Sequence, residues 1–248
     1  MNKKNLCFWL VMGVSLSISS GIYAIGKAPS AIPLNATIEV LKLPSENRKL
    51  VIKEQSEKYY KNFIVLAFDE AQPMGTRWRA LMAAAEARGA DSTPDLLKAG
   101  EHKKWYMRNA AVVALAEVEF EQAEKLAQKL LKDKALVVRS AAVEVLRKNL
   151  SPSARELLWE ELNQSYNFKN SQSLWIRHQI VEVLAQKPLD REVKSFTQLL
   201  SDRDVRVQLP AVRGLERLTG TKLGEGPIKQ STLVTMWKDF LHKENMGL

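Results

Sequence analysis

"LVVRSAAVEVLRK" spans Leu136–Lys148, and the chain spells it twice more with small changes: "YMRNAAVVALAE" at Tyr106–Glu117 and "LWIRHQIVEVLAQ" at Leu174–Gln186. Each copy carries an arginine near its start. Stacking Arg77, Arg108, Arg139, Arg177 and Arg206 gives spacings of 31, 31, 38 and 29 residues. Three positions on stand Ala80, Ala111, Ala142, Ile180 and Leu209; four on, Leu81, Val112, Val143, Val181 and Pro210; seven on, Ala84, Leu115, Leu146, Leu184 and Arg213. These offsets share one face of a helix with 3.6 residues per turn, so the same face is expected to be buried in each copy. A repeat of this period marks a stack of like units. The fifth copy departs: Arg213 interrupts its column, and Pro210 removes a backbone hydrogen bond mid-helix and is expected to kink it.

Ahead of these helices lie partner patterns. "STPDLLKAG" offers Thr93 as an N-cap and Pro94 at the first helical position. "EFEQAEKLAQKLLKD" spaces Ala123, Leu126, Ala127, Leu130 and Leu131 as one helical face, "SPSARELLWEELNQ" starts at Ser151–Pro152, and "DREVKSFTQLLSD" supplies Val193, Phe196 and Leu200. The unit is therefore a pair of antiparallel helices that cannot bury its stripe alone and must stack on its neighbours. Tyr59, Tyr60, Phe63, Ile64 and Ala67 mark a helix that covers the front of the stack. After a loop rich in Gly and Pro (Gly220, Gly224, Gly226, Pro227), Leu233, Met236, Trp237, Phe240 and Leu241 mark one that closes the back. "NATIEVLKL" from Asn35 alternates weakly like a strand but has no partner, so it reads as an extended arm. The expected divisions are a leader at 1–24, the arm at 25–44, the repeat array at 45–219 and the loop with its closing helix at 220–248.

The stretch Val138-Arg139-Ser140-Ala141-Ala142-Val143-Glu144-Val145-Leu146 resembles the V-R-x-x-A-x-x-A-L second helix of bacterial HEAT-like (armadillo-type) repeats. The resemblance covers about Tyr59 to Leu241. It implies an all-α, right-handed α-solenoid of about five HEAT-like helical hairpins with N- and C-terminal capping helices. The family commonly places an Asp shortly before the Arg; Asp133 and Asp202 stand near that place and the other copies lack it. The resemblance also implies that the second helices line a gripping surface.

Composition sets outer bounds. Lys and Arg number 37 against 28 acids, a net charge of +9, and 46% of the 248 residues are hydrophobic. That supports a folded core, and the scattered excess of Lys reads as a solvated surface. At the N-terminus, Lys3 and Lys4 precede the uncharged stretch from Leu6 to Ile18, and Ala24 offers a small residue for cleavage. This is the layout of a secretory signal peptide, placing the protein in the periplasm or outside the cell. The alternative is an uncleaved segment anchoring it to the inner membrane. Cys7, the sole cysteine, falls within the leader, so the mature chain carries no disulfide or thiolate.

Chemistry leaves few traces. The chain has three histidines, His102, His178 and His242, and no H-E-x-x-H, C-x-x-C or G-x-S-x-G. Glu144 and Glu182, both five positions past their arginines, could face one another, yet such glutamates are ordinary on solvated helices. The arginine column borders the buried face and is expected to bond loop carbonyls or an acid of the next repeat. Trp105 and Trp175, at helix starts, read as loop packing. What remains is the outward ridge of the second helices, with Trp78, Arg79, Met82, Asn109, Val113, Glu144, His178 and Glu182 as candidate protein-binding residues. The expected function is a non-enzymatic exported scaffold gripping another protein, with no catalytic residue, cofactor or metal. By resemblance, the alternatives are a nucleic-acid binder akin to HEAT-like DNA glycosylases or an enzyme akin to HEAT-like bilin lyases. The glutamates of the ridge make nucleic acid an unfavourable partner.

Overall fold

A computed structural model describes residues 31–224 and 226–244; the leader and the first part of the arm lie outside the described residues. The regular secondary structure of the described residues is helical apart from one small hairpin. Five antiparallel pairs follow one another: α3 (Ser56–Phe68) with α4 (Met74–Arg88), α5 (Thr93–Gly100) with α6 (Trp105–Val118), α7 (Phe120–Leu130) with α8 (Leu136–Lys148), α9 (Pro152–Leu162) with α10 (Trp175–Gln186), and α11 (Val193–Leu199) with α12 (Val205–Thr219). The second helices α4, α6, α8, α10 and α12 pack in that order into one layer. α1 (Leu34–Leu41) and α2 (Ser45–Ile52) pack at the front, and α13 (Gln230–Lys243) closes the back with Trp237 fully buried. No helix among the described residues is long and apolar enough to cross a membrane.

The buried stripe is the one the columns specify. Ala80, Leu81 and Ala84 are wholly enclosed, as are Ala111, Val112 and Leu115, Ala142, Val143 and Leu146, and Ile180, Val181 and Leu184. Alanine recurs because two helices of the layer can approach closely only where side chains are small, at interaxial distances of about 8–10 Å.

Three expectations need correcting. The fifth copy is registered two residues later than Arg206 implies. Val207, Ala211, Val212 and Leu215 are buried while Arg206 and Arg213 are exposed, so Gln208 holds the arginine position and the spacing from Arg177 is 31 residues, as elsewhere. Gln208 Nε2 donates to the Asp202 carbonyl at 2.8 Å, six residues back, as Arg139 Nη1 does to the Asp133 carbonyl at 2.7 Å. In this register Gly214 lies against Phe196, where a Cβ would come within 2.8 Å of the ring. Second, residues 34–41 of the supposed arm are helical: Thr37, Val40 and Leu41 are buried together, a helical spacing that outweighs the weak alternation. Third, Thr93 begins α5 instead of capping it, and its hydroxyl has no partner among the described residues. Ser151 does cap α9, accepting from the Ala154 N–H.

The one long spacing, 38 residues between Arg139 and Arg177, is a 31-residue unit with an insertion. Most of it is the hairpin of β1 (Phe168–Lys169) and β2 (Gln172–Ser173). Its turn residues Asn170 and Ser171 have φ of 52° and 61°, the positive values a two-residue hairpin turn requires.

The arginine column forms a ladder through the interior. Arg108 binds Asp133 through two nitrogens at 2.5 and 2.8 Å and also donates to the His102 and Lys103 carbonyls. Arg177 binds Asp202 and the Leu162 carbonyl; Arg139 binds Asn167 and the Tyr166 carbonyl. The acids absent from the sequence pattern have stand-ins. Asp133 and Asp202 each accept the N–H two residues on, from Ala135 and Asp204, and His102 Nδ1 accepts the Lys104 N–H in the same way. Accepting there leaves the neutral ring's proton on Nε2, which faces Arg77 Nη2 at 3.5 Å as donor to donor. Burial and the Arg77 charge hold His102 below the usual histidine range. Burial alone would raise the Asp133 and Asp202 carboxyls, but hydrogen bonds from Arg108 and Arg177, assisted by a backbone N–H, outweigh it and hold both low.

Candidate functional site

The outward ridge of the second-helix layer is more occupied than the sequence suggests. One position past the ladder, side chains bond the next repeat. Trp78 Nε1 donates to Asn109 Oδ1 at 3.1 Å, and Asn109 Nδ2 donates to the Val137 carbonyl at 3.2 Å. His178 Nδ1 lies 2.7 Å from the Arg206 carbonyl. A carbonyl only accepts, so Nδ1 carries the proton. That carbonyl would ordinarily receive the N–H of residue 210, but Pro210 has none. His178 thus satisfies the group that the proline orphans, and α12 runs through Pro210 as one helix.

Further along the ridge, Glu144 and Glu182 do not pair. Glu144 accepts from Gln179 Nε2 at 2.5 Å and lies 3.0 Å from Arg147; Glu182 meets Arg213 at 3.2 Å and His178 at 3.6 Å. Each carboxylate has its own cationic or amide neighbour, so no shared-proton pair forms. Glu117 and Lys148 join at 2.6 Å across α6 and α8. His178, Glu144 and Glu182 are thus held by neighbouring repeats, whereas Arg79 is exposed with no polar partner among the described residues.

The front of the layer differs. Trp78, Met82 and Val113 are half-buried against the core. α2 crosses beside α4, fixed where Arg48 Nε and Nη2 grip Glu86 at 2.6 and 2.7 Å and Ser45 Oγ donates to the same carboxylate. Burial would raise the Glu86 carboxyl, but these bonds dominate and hold it low. Between α2, α4 and α6 opens a cleft of about 530 Å³ with Trp78, Met82, Ala85, Ala114 and Val118 as its floor and Lys49 and Glu117 at its rim. An apolar floor with an aromatic edge and a charged rim has the make-up of a protein-binding surface.

The sequence reading missed one group. Trp105 and Trp175, expected as loop packing, touch Tyr106 and Ser140 yet remain 42% and 48% exposed. The signal was present two and three positions before each ladder residue, where Trp105, Val137, Trp175 and Val205 put apolar residues at a helix start.

Residues 63–147 match the family described as HEAT repeats. No protein of curated function matches the chain. Among solved structures it is similar to the complex of CpcE and CpcF of phycocyanin lyase from Nostoc sp. PCC7120, at 15% identity over 90% of this chain and 99% of that one, with a TM-score of 0.30.

Proposed function

We propose that the chain is a non-enzymatic scaffold that binds another protein, and that the cleft between α2, α4 and α6 is its principal grip. The observation that supports this reading is the open apolar floor of Trp78, Met82 and Val118 on a layer whose His178, Glu144 and Glu182 are bonded to neighbouring repeats. Apolar side chains with no neighbour to close over them gain most from a partner that excludes water, at about 25 cal/mol per Å² buried. Arg79 and Val113 flank the same surface, and Asn109 fixes the Trp78 ring. The basic, apolar N-terminal segment supports export to the periplasm or beyond, where the partner would be met.

The test is capture from an envelope fraction by wild type and by Met82→Glu. Met82 is half-buried, so the fold should persist while the charge disrupts the floor. A specific partner retained by wild type should be lost by more than about tenfold, the scale of one central contact; equal retention by the variant would overturn the reading. N-terminal sequencing of protein from cells tests export, and recovery of Met1 would contradict cleavage.

A further inference from the structure

Along the edge where each first helix turns into its second, one exposed apolar side chain recurs in four successive hairpins: Trp105 at 42%, Val137 at 38%, Trp175 at 48% and Val205 at 58% exposure. They fall in the first or second position of α6, α8, α10 and α12, two or three positions before the ladder residue, so stacking of the repeats sets them in a file along one edge of the layer. Bonds between repeats run through the file: Asn109 reaches the Val137 carbonyl, Trp175 Nε1 lies 3.4 Å from Ser140 Oγ, and His178 holds the carbonyl next to Val205. Single exposed apolar residues are common, but one at the start of the second helix in each of four successive repeats is a recurrent feature.

The charges along this edge are unbalanced. Its carboxylates are engaged within the fold: Asp133 with Arg108, Asp202 with Arg177, Asp204 with Arg206, Glu101 with Lys129 and Glu161 with Lys132. The side-chain charges of Lys104, Lys134, Lys169 and Arg203 are exposed and have no hydrogen-bond or ion-pair partner among the described residues. Three of these cations stand just ahead of an apolar member of the file: Lys104 before Trp105, Lys134 before Val137 and Arg203 before Val205. Lys169 sits in the inserted hairpin that precedes Trp175.

We propose that this file of apolar side chains and free cations binds an extended, acidic segment of a partner chain. Neighbouring helices of the layer lie about 8–10 Å apart. A polyproline-II strand turns once in three residues of about 3.1 Å, which returns every third side chain to one face after about 9 Å. Each hairpin then meets one apolar or prolyl residue, and intervening Asp or Glu residues face the unpaired cations. Exposed indoles suit such a ligand because aromatic grooves take up prolines in this conformation. The inference rests on the scaffold reading but concerns a different face from the cleft.

The probe is a fluorescein-labelled peptide of about twelve residues, three per hairpin, with proline at every third position and Glu or Asp between; a Lys-for-Glu version is the control. Titrated with the full chain, the acidic peptide should bind, the basic one should not, and binding should weaken with added salt. The double variants Trp105→Ala/Trp175→Ala and Lys104→Glu/Lys134→Glu, all at exposed sites, should each lose about tenfold or more in affinity, with unchanged melting curves. Met82→Glu should bind the peptide like wild type, so a failed cleft and a failed file show in separate experiments. Absence of acidic-peptide binding, equal binding of the basic control, or full affinity in either double variant would overturn the proposal. So would sedimentation with phosphatidylserine vesicles in place of peptide binding, since that outcome assigns the edge to a membrane surface.

Discussion

At the back of the layer, α10 and α12 are tied by His178 to the Arg206 carbonyl, Arg213 to Glu182 and Arg217 to the Ala185 carbonyl. At the front, α4 and α6 share the same 31-residue offset, but their ridge is joined by the Trp78–Asn109 bond and then opens into a cleft. The difference lies in one column. Five positions past the ladder stand Met82 and Val113 in front, then Glu144, Glu182 and Arg213 behind. Charged residues there find partners on the next helix and close the ridge; apolar ones have none and leave surface for something else. A repeat fold can therefore change the character of its outward surface through a few residues while the buried stripe stays constant.

If the back is the rigid end, its interior charges should be the costliest to disturb. Arg155 Nη1 lies 2.9 and 2.7 Å from the two oxygens of Glu192, whose carboxylate also accepts from Trp159 Nε1 and the Leu189 N–H; both side chains are buried. Glu192→Ala strands a buried guanidinium, and its expected cost is about 3–5 kcal/mol, read as a shift of the urea midpoint. A shift like that of a surface substitution would show that the back is no more tightly held than the front. Leu146→Ala, at the centre of the stack with its side chain fully enclosed, should cost about 2–5 kcal/mol; a smaller loss would mean that the α6–α8–α10 contacts relax around the gap.

How far the sequence discloses this follows from what kind of interaction each element uses. Burial leaves a periodic trace, so the stripe of Ala111, Val112 and Leu115 and its counterparts is legible residue by residue. Hydrogen-bonded equivalence leaves a weaker one. Gln208 replaces an arginine and keeps the bond to the carbonyl six residues back, His102 replaces an aspartate and keeps the acceptor for the N–H two residues on, and Asn167 supplies the acceptor for Arg139, because what the ladder conserves is a donor or acceptor at a place. Searching for the arginine itself selects Arg206 and shifts the last helix by two. The outward position of the ridge residues is legible from their spacing, but their inter-repeat bonds depend on which helix comes next in space. The partial exposure of the two indoles is not legible in the sequence, because how much cover a tryptophan at a helix start receives depends on the neighbouring repeat.

The rungs of the ladder should also differ in their response to acid. Asp133 and Asp202 are held below the usual carboxylate range, so their stabilisation is complete above about pH 4 and is lost as pH falls through their folded values. His102 is held below the usual histidine range, so the unfolded chain takes up its proton first, and the front rung weakens as pH falls below about 6.5. Melting curves should show a shallow decline starting near pH 6.5 and a steeper one below about 4. His102→Asp should remove the shallow decline, since it gives Arg77 a carboxylate where Arg108 has Asp133. Persistence of that decline in the variant would assign it to another group.

The smallest effect is the most specific. If His178 serves the carbonyl that Pro210 leaves bare, the two residues are coupled, and removing one changes the worth of the other. In wild type, His178→Ala should cost about 0.5–1.5 kcal/mol, the net value of one hydrogen bond. Pro210→Ala restores the N–H that α12 lacks, so the Arg206 carbonyl gains a partner within its own helix. In that background His178→Ala should cost less by most of the same amount. A double-mutant cycle measures the difference, and contacting pairs show coupling of about 0.5–3 kcal/mol. Additive losses would mean that His178 acts instead through Glu182, 3.6 Å away.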